Sequence, residues 1–185
     1  QAAYASVTPD PISVSESESN DTQATAQAVA SVPATISGSL GSTADIDYYQ
    51  LSVPAGRTLT VTLTGGSGVD TAVYTGASSG VTVSLSVAGA QNVGGGVGID
   101  LLSGIENLTG SAYGDRLPGN AGANLLSAAG GNDLLTGADG NDTLYGDTGN
   151  DTLYGGAGSD VLWGQTGDDQ MFGGAGADQF AFQAG

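Results

Sequence analysis

GADGNDTLYGDTGNDTLYGGAGSDVLWGQTGDDQMFGGAGADQFA, residues 137–181, divides without a gap into five units of nine residues. Each unit has Gly at its first and fourth places, Asp at its sixth and an apolar residue at its eighth. Weaker copies precede these at 110–118, 119–127 and 128–136. The sixth place holds Asp115, Asp133, Asp142, Asp151, Asp160, Asp169 and Asp178, and only Asn124 departs from the carboxylate. The fourth place is Gly122, Gly131, Gly140, Gly149, Gly158, Gly167 or Gly176. The eighth is Leu117, Leu126, Leu135, Leu144, Leu153, Leu162, Met171 or Phe180. A disordered acidic linker has no reason to keep an apolar residue at every eighth place. Gly at the fourth place admits φ > 0, which lets a tight turn aim its carbonyls inward. The unit therefore reads as a six-residue turn followed by a very short strand whose eighth side chain points inside.

Composition narrows the chemistry. The chain has 185 residues, 19 of them acidic and two basic (Arg57 and Arg116), for a net charge of −17. That balance argues against nucleic acid or an anionic membrane as partner, and it asks for cations to relieve self-repulsion. There is no His, Cys or Lys. A Ser-His-Asp triad, a thiolate nucleophile, an imidazole or thiolate zinc site, a disulfide and a Schiff base are all excluded. The remaining donors are oxygens, which are the ligands of hard cations. The acids sit in turns and not in facing pairs across a cleft, so no catalytic residue is expected. No run of 18 apolar residues offers a membrane span.

The 110–181 units match G-G-x-G-x-D-x-U-x, and the segment resembles the RTX, or haemolysin-type, calcium-binding nonapeptide repeat. The resemblance implies an all-β fold, a right-handed parallel β-roll in which two units make one coil. Turns 18 residues apart then stack. Asp115, Asp133, Asp151 and Asp169 should form one column, and Asn124, Asp142, Asp160 and Asp178 the other. The resemblance further implies that each Ca²⁺ sits between stacked turns, with carbonyls and an Asp from both, one Asp bridging two ions. Well-formed turns on both sides occur for 133/151, 151/169, 142/160 and 160/178, hence about four sites, with weaker ones near Asp115 and Asn124. Metal ligands are expected from those sixth-place residues and from Gly131, Gly140, Gly149, Gly158, Gly167 and Gly176. Stacked carboxylates about 5 Å apart repel, so ion binding and folding should be one event.

Upstream the pattern changes. Residues 1–20 read as an arm whose IleSerValSer (12–15) alternates as an edge strand does. Residues 20–29 read as a short helical or turn segment, and 35–40, 47–53 and 57–64 as strands. GluSerAsnAspThrGlnAlaThrAla, IleSerGlySerLeu and AspIleAspTyrTyrGlnLeuSerValProAlaGlyArgThrLeuThrValThrLeu resemble the bacterial pre-peptidase C-terminal domain over about 16–65. That resemblance implies a small β-sandwich. The family's later strands are missing after Gly65, so about half a sandwich is expected over 21–69. A separate calcium site among Glu16, Glu18, Asn20, Asp21, Asp45 and Asp47 is a lesser expectation. Residues 70–109 resemble the segment that precedes calcium-binding arrays in bacterial exoproteins, and should cap the first turn of the roll in 110–185. Tyr145, Tyr154, Trp163 and Phe172 occupy ninth places and should face outward, 145 pairing with 163 and 154 with 172.

The expected function is that of an extracellular or cell-surface calcium-binding structural protein that self-associates by strand addition or end stacking into a filament or adhesin element. The alternative is a non-catalytic accessory or secretion region of an exported enzyme such as a peptidase.

Overall fold

In the computed structural model the described residues are 60–65 and 68–182, together with four upstream strands. All seventeen elements among the described residues are strands. The array follows from its units. β10 (Arg116–Pro118), β12 (Leu134–Asp139), β14 (Thr152–Ala157) and β16 (Gln170–Ala175) form one parallel sheet. β6 (Thr71–Val73), β9 (Asn107–Thr109), β11 (Leu125–Ser127), β13 (Thr143–Tyr145), β15 (Val161–Gln165) and β17 (Gln179–Phe182) form the other. From β9 onward consecutive strands alternate between the sheets, so each sheet there pairs strands two apart in sequence, while β6 pairs with β9 across the intervening β7 (Gln91–Gly94) and β8 (Gly98–Ser103). This is a parallel β-solenoid.

Register is fixed by the eighth place. Leu117 lies opposite Leu135, Leu153 and Met171 in one ladder. Ala72, Leu108, Leu126, Leu144, Leu162 and Phe180 make the other. Seven leucines of these ladders are fully buried. A shift of one residue would turn each of them to solvent, so the apolar column locks the stacking. Met171 is half-buried and Phe180 is 45% exposed. At that end the described strands cover them from one side only. The ninth-place aromatics pair as expected. Tyr145 stacks on Trp163 with centroids 6.1 Å apart, and Tyr154 on Phe172 at 4.8 Å.

The strands of the first sheet are longer than the very short strand expected. β12, β14 and β16 run through the first places of the next unit, with Ala138, Gly156 and Gly174 aligned. These three residues have φ of 88°, 121° and 102°, so the ladder continues through left-handed backbone. Asp147 (φ 65°) fastens three layers on the opposite side. Its carboxylate accepts from Ser127 Oγ at 2.8 Å, Ala129 N–H at 3.1 Å and Gln165 Nε2 at 2.5 Å.

Upstream, β1 (Ile12–Ser15) pairs in parallel with β3 (Ala34–Ser37), and β2 (Gln27–Val29) with β4 (Tyr49–Leu51). The edge strand expected at 12–15 is thus a strand, and 27–29, expected in a helical or turn segment, is a strand too. The rest of the 20–29 expectation lies outside the described residues, as does the lesser calcium site at 16–21, 45 and 47. Most of the expected sandwich also lies outside them. The strands described there pair in parallel, two apart, and no antiparallel pair of a sandwich occurs among the described residues of 12–64. β5 (Thr60–Thr64) then lies parallel to β8 (Gly98–Ser103), which carries the antiparallel β7 (Gln91–Gly94) on its other edge.

Candidate metal centre

The six-residue turns of the array stack into two columns along the flanks of the roll, all carboxylates but for the Asn124 amide. Asp115, Asp133, Asp151 and Asp169 make one, and Asn124, Asp142, Asp160 and Asp178 the other, as the two-unit coil implied by the resemblance leads one to expect. Within each column one carboxylate oxygen is committed. Asp115 N–H donates to Asp133 Oδ1 at 2.6 Å, Asp133 N–H to Asp151 Oδ1 at 2.8 Å, and Asp151 N–H to Asp169 Oδ1 at 2.9 Å. Across the roll, Asn124 N–H donates to Asp142 Oδ1 at 2.8 Å, Asp142 N–H to Asp160 Oδ1 at 2.9 Å, and Asp160 N–H to Asp178 Oδ1 at 3.1 Å. These bonds orient the carboxylates of Asp133, Asp142, Asp151, Asp160, Asp169 and Asp178 through Oδ1. Asp115 differs: its Oδ1 accepts from Val81 N–H and Ser111 Oγ, and its Oδ2 from Ser111 N–H.

Oδ2 of Asp133, Asp142, Asp151 and Asp160 is buried and accepts no hydrogen bond. A buried carboxylate oxygen without a partner is costly, and native structures keep few of them. Four in corresponding positions point to a cation in the gap. The four residues are 0–3% exposed. Asp169 and Asp178 sit in the last described turns and are half-buried.

Carbonyl oxygens come to the same place. A Cβ on Gly146 would lie 2.5 Å from Asp151 Oδ2 and 2.8 Å from the Gly164 carbonyl of the next turn. At Gly155 the Gly173 carbonyl stands 2.6 Å away, and at Gly137 the Gly155 carbonyl does the same. The first-place glycine thus leaves room where a carboxylate and a carbonyl of two different turns meet. The fourth-place glycines make those turns. Gly131, Gly140, Gly149, Gly158, Gly167 and Gly176 have φ from 108° to 143°, which only Gly adopts without strain. Gly122, whose own turn carries Asn124, is outside this set.

Electrostatics agree with the geometry. Burial pushes the Asp133 carboxyl up to about 7, with Asp151 and Asp115 adding repulsion against the hydrogen bond from Asp115 N–H. Burial raises Asp142 to about 6, with Asp160 and Asp139 contributing, and raises Asp151 to about 6, with Asp169 and Asp147 contributing. Charged carboxylates are therefore unfavourable in this stack until a cation joins them. Among the described residues no three acidic side chains converge on one point. A site here must be completed by carbonyls, as suits Ca²⁺ with its six to eight oxygens better than octahedral Mg²⁺.

Two further acids were not expected in this role. Asp70 and Glu106 stack as the array residues do, and Asp70 Oδ2 is also buried and unpartnered. The signal was GlyGlySerGlyValAspThrAlaVal (65–73), a complete nonapeptide standing apart from the others.

Residues 102–135, 109–144, 118–153 and 145–180 match the family model of the RTX calcium-binding nonapeptide repeat, in four overlapping copies. No curated protein matches the chain. Such repeats bind Ca²⁺, and four of them fit about four ions, the number of buried unpartnered Oδ2 atoms in the array. Residues 102–180 thus match the RTX calcium-binding nonapeptide repeat, and the array they contain is folded as a parallel β-solenoid.

Proposed function

We propose that this chain is an extracellular calcium-binding structural protein whose roll folds on Ca²⁺ and then associates with copies of itself into a surface or matrix filament. The ions lie between turns 133/151, 151/169, 142/160 and 160/178. The observation that carries the calcium-gated part is the set of four buried carboxylate oxygens without a partner. Each is held in place by its own Oδ1 bond, and a buried carboxylate oxygen without a partner is costly. Binding energy is then folding energy.

The self-association part is supported by the outer faces of the sheets. Tyr154, Trp163 and Phe172 are 40–46% exposed and belong to stacked pairs, one pair on each sheet. On a chain with net charge −17 these columns are where apolar contact between copies can form once calcium has neutralised the flanks. Parallel strand addition or end stacking would extend the same sheets. RTX rolls are generally structural and not catalytic, and the residue types present leave no catalytic constellation. The second reading, an accessory region of an exported enzyme, is favoured by the same repeat array, which needs no partner copy to fold.

Electron microscopy and circular dichroism in chelator, then in millimolar calcium, separate the readings. Strand signal and filaments appearing together support the structural polymer. Strand signal with monomers only would refute self-assembly and leave the accessory role.

A further inference from the structure

The array does not contain every buried carboxylate oxygen that lacks a partner. Among the described residues Asp70 Oδ2 is the one outside it, on a residue only 8% exposed. Asp70 closes the turn between β5 and β6. β5 runs beside β8 with Thr64 opposite Ser103, and β6 beside β9 with Thr71 opposite Asn107. Gly65 and residues 68–70 are thereby laid against a turn of three residues, Gly104, Ile105 and Glu106.

The unequal turns still meet by the rules of the array. Gly65 N–H donates to Ser103 O at 2.9 Å, the counterpart of Gly110 N–H to Ser127 O at 2.8 Å. Asp70 N–H donates to Glu106 Oε2 at 2.9 Å, the counterpart of the Asp-to-Asp bonds. Glu106 N–H and Asn107 N–H both donate to Asp70 O, at 3.2 and 3.0 Å. Gly68 has φ 129°, within the range of the array glycines. A Cβ on Gly65 would strike both the Gly104 carbonyl and Asp70 Oδ2, the pair of oxygens found beside Gly137, Gly146 and Gly155. Where the shortened turn draws the backbone back, Glu supplies one more methylene than Asp.

We propose that this junction is a separate calcium site, held by the Asp70 and Glu106 carboxylates and the Gly104 carbonyl, that clasps Asp70 and the start of β6 onto the roll. Between its two halves the chain makes the 74–97 excursion, including the β7 edge. The ion therefore closes a long loop whose ends are 36 residues apart. The inference goes beyond the filament reading and does not depend on it.

The test is an ion count on the full chain by native mass spectrometry at saturating calcium, for wild type, Asp70→Asn, Glu106→Gln and the double variant. Each single variant should carry one ion fewer than wild type, and the double variant also one fewer, because both residues serve one ion. Glu106→Gln keeps an oxygen that accepts the Asp70 N–H bond, so it carries the test if Asp70→Asn does not fold. An unchanged count in Glu106→Gln would overturn the proposal. So would loss of the array ions together with this one, because the two acids would then serve the fold and no ion of their own.

Discussion

Calcium-free folding of the roll should be governed by pH, and the sign can be worked out from the stacked carboxyls. Asp133 is raised from 3.8 to about 7 in the fold, and Asp142 and Asp151 from 3.8 to about 6. A group whose folded value lies above its unfolded value binds its proton more tightly when folded. Its contribution is fully present below 3.8 and is lost as pH rises through 6 to 7. Undiscounted, the three shifts correspond to about 10 kcal/mol. Water close to the turns and coupling along the column reduce this, and about half is a working figure. That is on the order of the whole stability of a small domain. The part recoverable between pH 8 and pH 5 is about 3 kcal/mol, roughly a hundredfold in the folded-to-unfolded ratio. Protein stripped of calcium on a chelating resin should therefore show little strand signal in far-ultraviolet circular dichroism at pH 8 and gain it at pH 5. With calcium present the signal should be full at pH 8. Strand signal at pH 8 without calcium, or none gained by pH 5, would refute the claim that carboxylate burial is what the cation relieves.

Three substitutions probe the other parts of the design. Leu144→Ala, between Leu126 and Leu162 in the buried ladder, should cost about 2–5 kcal/mol in denaturant unfolding of the calcium form, whereas Leu125→Ala, 41% exposed, should cost about 0.5 kcal/mol or less. Gly149→Ala places a side chain at φ 135° against the Gly131 carbonyl; it should cost about 3 kcal/mol or more and raise the calcium midpoint of the folding transition. Trp163→Ser with Phe172→Ser should leave the ion count unchanged and cost about 1 kcal/mol per lost aromatic pair, while abolishing filaments in the electron microscope.

The array was legible because one residue type at one place in nine does one job. Leucine at the eighth place marks the inward face, and the two units per coil that the resemblance implies then set the columns Asp115–Asp169 and Asn124–Asp178. The pairing of Tyr145 with Trp163 followed from the same count. The division of labour within each carboxylate was not legible. Only geometry shows that Oδ1 takes a backbone N–H of the preceding turn and Oδ2 remains. The unit 65–73 escaped for two reasons. Its eighth place is Ala72, too small to announce a core, and its partner turn at 104–106 has lost three residues, which breaks the nine-residue count. Over 16–65 the words of a sandwich family occur in a stretch whose described strands pair in parallel. Side-chain alternation is common to both arrangements and does not choose between them.

The two carboxylate columns also make the roll a short polyelectrolyte. Stacked strands place successive acids about 4.8 Å apart. Two unit charges in water repel by about RT at roughly 7 Å, so such a column lies above the density at which counterions condense onto it. Sodium or potassium will crowd the flanks before calcium arrives, and each calcium that binds must release some of them. The roll therefore responds to the ratio of calcium to monovalent salt and not to calcium alone. In brackish water it should need more calcium to fold than in fresh water.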